Sequence, residues 1–259
     1  MKKKYLAAAL ALTMILALAA CGSSNGGDAA SDGKAVVTVA TSPDFPPFES
    51  LDGSEVVGIE VDILQAIAEK LDMEMKLEQM DFESVIPGVQ AGKFDIGMSG
   101  ITVTEDRQKN CDFTQPYFLA SQAIVVTPDS DITCKADLEG KTISVQTGTT
   151  AESFCMEAGY SVSSFASNSD AQAALVAGKV DAWVIDDLTA ADMVKSYNKD
   201  KGEALIILPE AMTTEPYAFA FAFGSEDLVK EINGILAQLV ADGTVASIFE
   251  AHDAPYTAP

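Results

Sequence analysis

The sequence predicts an α/β protein of two lobes, each a mostly parallel sheet flanked by helices. Two observations carry this. Short apolar strand-like runs alternate with segments of helical spacing along most of the chain, the order that parallel sheets covered by helices require. One ten-residue pattern also occurs twice, as AGKFDIGMSG from Ala91 and as AGKVDAWVID from Ala177. Each copy is a helix end with glycine, a lysine, an apolar residue, an aspartate and a buried strand. The repeat suggests two halves of one plan.

The chain opens MKKKYLAAALALTMILALAACGSSNGG. Three lysines precede an apolar run over 5–20, which is shorter than the roughly 20 residues a membrane-spanning helix needs. A basic start with a short apolar core predicts a signal peptide over residues 1–20. Leu18-Ala19-Ala20-Cys21 resembles the bacterial lipobox, which implies that Cys21 becomes a lipidated N-terminus. An ordinary signal peptide with an incidental cysteine is the other reading. Residues 22–34 are Gly, Ser, Asn, Asp, Ala and one Lys, with too little apolar area to offset the entropy of ordering. Residues 21–34 therefore read as a lipidated cysteine on a flexible tether, and the folded body begins near Ala35.

Removing residues 1–20 takes away three lysines and no acid, so the net charge of −23 becomes −26. Such a surface repels nucleic acid and anionic lipid, which excludes nucleic acid as a partner. Beyond Cys21 the cysteines are Cys111, Cys134 and Cys155. Three leaves one over, and Cys134 with Cys155 is a pairing left open. The cysteines lack metal-ligand spacing and His252 is the only histidine, so neither a metal, a cofactor nor a Ser-His-Asp site is expected.

The elements follow in order. VVTVAT (36–41) reads as a strand, VDILQAIAEKL (61–71) as a helix with Leu64, Ile67, Ala68 and Leu71 on one face, and MKLEQM (75–80) as a strand. ESVIPGVQAGK (83–93) is a helix closed by Gly92, and DIGMSG (95–100) a buried strand. TISVQ, with 143–146 at its core, is a strand, with helices TAESFCMEAG (150–159) and SDAQAALVAGK (169–179) after it. DAWVI (181–185) is a strand and DLTAADMVKSYN (187–198) a helix. YAFAFAFGSED (217–227) reads as a strand and turn, LVKEINGILAQLVADG (228–243) as a long helix and TVASIFEAH as a closing one. The chain must cross between lobes twice, near 120–123 and near 213–217. That makes 35–120 with 217–259 one lobe and 121–216 the other.

Ligands collect beyond the carboxyl ends of parallel strands, which here are Ser99-Gly100 and Ile185-Asp186. Arg107 is the only arginine in the chain. It sits in TVTEDRQ, a helix start that Thr104 can cap. A guanidinium offers two parallel N–H donors matched to a carboxylate, which an ammonium does not. A surface pair with Glu105 or Asp106 is the alternative. QTGTTAE (146–152) combines a strand end, a glycine turn at Gly148 and a helix start where Thr149 and Thr150 would meet an anion, or merely cap the helix. Asp186 ends an apolar strand, so it either caps the next helix or meets a cation. Phe45 and Phe82 are aromatics on expected loops, with core packing as the plain alternative.

Together TSPDFPPFE, VVGIEVDILQAIAEKL, FDIGMSGITVTEDRQKNCDFTQPY, QTGTTAE, GKVDAWVIDD and LVKEINGILAQLVADGT resemble the polar amino-acid family of ABC-transporter solute-binding proteins, over nearly all of 35–250. The resemblance implies the two-lobed periplasmic-binding type II fold joined by two hinge strands, and capture of an L-amino acid without chemistry. It implies that Arg107 holds the α-carboxylate, aided by Thr102, by the backbone around Ser99 and Gly100, and by Thr150. Asp186 would accept from the α-ammonium, Phe45 and Phe82 would enclose the side chain, and Ser42 and Gln146 would face its distal end.

One departure matters. Relatives for basic ligands or glutamine often have aspartate where this chain has Ser42. With Asp186 the sole acid among the carried-over positions, a neutral polar amino acid is favoured, unless Asp44, Glu49 or Asp81 enters the pocket and makes it basic. The expected protein is a monomeric extracytoplasmic receptor, lipid-anchored to the cell membrane, that serves a membrane permease. A dehydratase on the same fold and a surface sensor or adhesin are the rival readings.

Overall fold

Valines alternate with small residues in β1 (Ala35–Thr41), sending Val37 and Val39 into the core. This strand opens the residues Lys34–Pro259 that a computed structural model describes. The expected signal peptide, Cys21 and residues 22–33 of the tether lie outside the described residues. A small antiparallel meander follows, of β2 (Asp44–Phe45), β3 (Glu49–Asp52) and β4 (Glu55–Val57). Then come α1 (Ile59–Lys70), β5 (Met73–Gln79), α2 (Phe82–Gln90), β6 (Ile96–Gly97), the short α3 (Glu105–Gln108) and β7 (Cys111–Phe113). After β8 (Phe118–Ala120) and β9 (Gln122–Val126), the second half has β10 (Thr142–Gln146), α4 (Thr150–Glu157), β11 (Ser161–Phe165), α5 (Asn168–Val176), β12 (Ala182–Asp186), α6 (Asp187–Lys201) and β13 (Ile206–Ile207). The chain ends with β14 (Glu215–Tyr217), β15 (Ala220–Ala222), α7 (Glu226–Ala241) and α8 (Thr244–Ala251).

Two five-stranded sheets organise the two lobes, ordered β5-β1-β6-β15-β7 and β11-β10-β12-β9-β13. In each, four strands run one way and a single reversed strand, β15 or β9, pairs antiparallel with both its neighbours. Between them β14 pairs antiparallel with β8, so the chain leaves the first sheet through β8 and returns through β14. An aromatic cluster packs at this ladder: Phe118 lies 4.9 Å from Phe249 and Phe48 5.2 Å from Tyr217, centroid to centroid. Trp183 of β12, the only tryptophan, is fully buried, and its indole N–H has no partner among the described residues.

The repeated ten residues do the same work twice. Gly92 and Gly178 both adopt left-handed φ, +66° and +65°. The next amides reach back to the helix, Lys93 N–H to Gly88 O and Lys179 N–H to Ala174 O, each at 3.0 Å, closing the helix in the Schellman manner. The aspartates then clasp the neighbouring parallel strand, β1 or β10. Asp95 accepts from Thr38 N–H and Asp181 from Thr142 N–H, both at 2.7 Å.

Some expectations change. Phe45 and Phe82 are not on loops: Phe45 ends β2 and Phe82 begins α2, because both rings pack inward. The alternating Ala-Phe run forms two strands instead of one, β14 and β15, since Tyr217 serves the inter-lobe ladder and Ala220 the first sheet. Cys134 does not pair with Cys155; Cys111, Cys134 and Cys155 are all free.

Candidate functional site

Thr104 caps α3 by accepting from Arg107 N–H at 3.2 Å. The cap turns the Arg107 side chain towards the second lobe. Its guanidinium donates to Thr102 O at 2.9 Å and, across the gap, to Gly148 O at 3.1 Å. The Phe82 ring lies 5.8 Å below it, a cation–π distance. Arg107 makes no ion pair with Glu105 or Asp106; Asp106 pairs instead with Lys109. Burial draws the guanidinium below its ordinary value, against the opposing charges of Glu215 and Asp186. Both carbonyl bonds hold the fork in one orientation and leave other N–H groups for a carboxylate.

The end of β12 delivers Asp186, 8 % exposed. It occupies the cap position of α6 without a capping bond, and accepts from Gln122 Nε2 at 3.1 Å. Burial pushes its carboxyl up to about 7. The buried Tyr217 hydroxyl faces the same group and offsets part of that rise. An acid raised by desolvation and lining a cleft is a marker of a functional site.

The turn between β10 and α4 supplies the other wall. Thr149 caps α4 by accepting from Glu152 N–H and donates to Gln146 O at 2.7 Å, leaving Thr150 at the helix start facing the space. Gly148 has φ +80°, and a Cβ there would meet Glu83 Cα of the first lobe at 3.1 Å. The close approach of the two lobes at this point requires glycine.

All ten residues expected at the site, Arg107, Asp186, Thr102, Ser99, Gly100, Thr150, Phe45, Phe82, Ser42 and Gln146, line one cavity. Thr149 and Asp44 complete the lining. Of the three acids left conditional by the sequence, only Asp44 enters: Asp81 is exposed and Glu49 is buried behind the wall. Asp44 accepts from Ser42 Oγ at 3.0 Å and, from the other lobe, from Asn168 N–H at 2.7 Å and Gln146 Nε2 at 3.3 Å. Burial raises its carboxyl, and its donors are all neutral. A neighbouring chamber shares Thr102, Arg107 and Thr150 and adds Glu215, a 5 % exposed hinge acid that the sequence reading missed. Arg107 thus shares the cleft with Asp186, Asp44 and Glu215. Among the described residues no cluster of His, Cys, Asp or Glu is placed to hold a metal ion.

Comparison with known proteins agrees with this architecture. The model of bacterial extracellular solute-binding proteins, family 3, matches residues 37–252. The arginine-binding extracellular protein ArtP of Bacillus subtilis is 33% identical over 251 residues, covering 95% of this chain and 96% of its own. A probable histidine-binding protein of Neisseria gonorrhoeae is 34% identical, covering 95% and 94%. The solved structure of an ancestral arginine-binding protein bound to arginine superposes with a TM-score of 0.78 at 38% identity, covering 84% of this chain and 98% of that one. Two mixed sheets bridged by a hinge ladder, with a polar cavity between them, are the structural expression of that likeness, and the chain belongs to family 3 of the bacterial extracellular solute-binding proteins.

Proposed function

We propose that the cavity captures an L-amino acid outside the cytoplasm and that the closed protein presents it to the permease of an ABC transporter. The observation that carries this reading is that Arg107 of one lobe and Asp186 of the other line a single cavity. A guanidinium matches a planar carboxylate and a carboxylate matches an ammonium. An α-amino acid bears both groups on one carbon. Thr102, Thr150 and the Ser99–Gly100 backbone would complete the carboxylate and ammonium contacts. Phe45 and Phe82 would flank the side chain, and Ser42 and Gln146 its far end. With Arg107 and Asp186 both engaged by the zwitterion, neither is left for acid–base chemistry, which favours binding over catalysis.

Asp44 sets the class of side chain. The sequence favours a neutral polar ligand because it leaves the far end without an acid. Asp44 lines the same cavity, bonded to Ser42 and Gln146, partly desolvated and without a cation, and would meet the side chain's far end. A buried acid of this kind gains most from a positive partner, so the ligand is a basic amino acid. The arginine- and histidine-binding relatives support that class. Residues 1–20 would direct export, Cys21 would carry the lipid, and the tether would let the monomer reach the transporter from its membrane anchor. Residues 35–120 with 217–259 would move as one lobe and 121–216 as the other, about hinges near 120–123 and 213–217.

Calorimetry with the twenty L-amino acids tests the proposal. L-arginine is expected to bind and Arg107→Ala to bind nothing detectable. Asp44→Asn should weaken L-arginine by about ten- to a hundredfold, as losing a charged hydrogen-bond partner does, and change L-glutamine by less than about threefold. Silence from all twenty, or an Arg107→Ala variant as tight as the parent, would refute the assignment.

A further inference from the structure

Behind the Ser99–Gly100 turn lie two carboxylates that do not line the cavity. Glu49 starts β3 and Glu60 is in the first turn of α1, and both are fully buried. Glu60 Oε2 accepts Gly100 N–H at 2.9 Å, and Glu60 Oε1 accepts the Tyr117 hydroxyl. Glu49 Oε1 accepts the Ser99 hydroxyl at 3.0 Å, and Ser99 Oγ accepts Ser42 N–H at 3.1 Å. Three residues of the cavity wall are therefore tied to one buried pair.

The charges of that pair do not balance as two anions. Among the described residues no lysine, arginine or histidine pairs with either glutamate. The ionisable groups facing Glu49 are Glu60 of α1 and Asp44 of β2, and Glu60 also meets Tyr117 just before β8. All are acids. Glu49 Oε2 is buried and meets no donor among the described residues, while the Glu49 carboxyl faces that of Glu60. A proton on Glu49 Oε2, donated to Glu60, satisfies the orphan oxygen and removes one of two like charges, as happens when adjoining carboxylates share a site. Burial first, and then the Glu60 charge, push the Glu49 carboxyl well above the usual range.

We propose that Glu49 and Glu60 share one proton and act as positioning residues, holding Ser42, Ser99 and Gly100 in place for the ligand from behind. In a trans peptide the C=O and N–H point opposite ways. Glu60, by fixing Gly100 N–H, turns the Ser99 carbonyl to the opposite side as a fixed acceptor. Glu49 fixes the Ser99 hydroxyl, which in turn holds the Ser42 backbone. The positioning role rests on the amino-acid reading above; the shared proton does not.

Two arms of the test need no ligand. At pH 8, above the range in which Asp186 ionises, the infrared spectrum of the parent should show the carbonyl stretch of a protonated carboxyl, and Glu49→Gln should lack it. A buried acid that keeps its proton makes folding less favourable as pH rises. The melting temperature of Glu49→Gln relative to the parent should therefore increase from pH 5 to pH 9. The third arm is calorimetry with L-arginine. Glu49→Gln, which keeps a neutral donor and acceptor, should bind within about threefold of the parent, and Glu60→Gln about tenfold or more weaker, since one of two donors loses its charged acceptor. Should Glu60→Gln not fold, Glu60→Asp, which keeps the charge without the reach, replaces it. An absent band, or melting profiles of unchanged slope, overturns the shared proton. Parent-like binding by the Glu60 variant overturns the positioning role. If L-arginine does not bind, the tightest of the twenty amino acids takes its place. If none binds, the positioning role falls with the function, while the two ligand-free arms still decide the proton.

Discussion

Burial holds a proton on Asp186 up to about pH 7, whereas the carboxyl ordinarily releases it near 3.8. The native state thus binds more protons than the unfolded chain between those values, and this group's contribution to stability falls as pH rises through that window. An α-ammonium requires the ionised form, so binding below pH 7 must expel the proton. The affinity for L-arginine, whose charge is constant from pH 5 to 8, is expected to weaken as pH falls through 7, by at most about tenfold per pH unit. Asp44, also raised by burial, acts in the same direction, so the Asp44→Asn variant isolates the Asp186 part. Titration in buffers of different ionisation enthalpy reads the proton directly, and a flat profile would remove Asp186 as the ammonium's partner. Arg107 was legible in the sequence because it is the lone arginine beside a helix start. Asp44 stood only as one of three conditional acids and Glu215 was missed, since they are two of 39 acids. What makes Asp44 special is Asn168 and Gln146, more than a hundred residues away in the chain.

The turn after β6 is the element most exposed to a small change. Gly100 has φ +54°, and a Cβ there would lie 2.4 Å from Phe45 Cε1. Gly100→Ala is expected to cost about 1–3 kcal/mol from the backbone conformation alone, a fall of about 2–4 °C in Tm per kcal/mol for a body of this size. It should also displace the Phe45 ring and weaken ligand binding, and an unchanged Tm and Kd would show that the turn relaxes freely. Longer elements were readable because their period is. The stripe of Leu64, Ile67 and Ala68 marks α1, and Leu236 and Leu239 mark α7. Their ends fell within about two residues, the usual uncertainty of helix boundaries. The meander β2–β3–β4 was missed because strands of two to four residues carry too few alternations to register as a period. Phe45 was consequently put on a loop, and Phe82 because it stands one residue before the helix read from Glu83.

At the scale of the molecule, the lobes meet through few polar bonds. Arg107 reaches Gly148 O at one end of the cavity, and Asn168 N–H with Gln146 Nε2 reaches Asp44 at the other. Arg107→Ala with Asp44→Ala removes both ends and is expected to enlarge the radius of gyration of the ligand-free protein in X-ray scattering. An unaltered radius would mean that other contacts keep the cleft shut. The two-lobed plan was visible from the duplicated Ala-Gly-Lys-x-Asp pattern, and the paired caps and clasps of Asp95 and Asp181 give its physical reason. The way β9 and β15 run against their neighbours was not visible, because pairing direction leaves no mark on a short apolar run. Trp183 extends this to experiment. As the only indole in the chain, sealed inside β12 of the second sheet, it is a native fluorophore shielded from water. Its emission should stay blue while the first lobe alone is perturbed, and shift to the red only when the second lobe melts, so the two halves can be followed separately without attaching a dye.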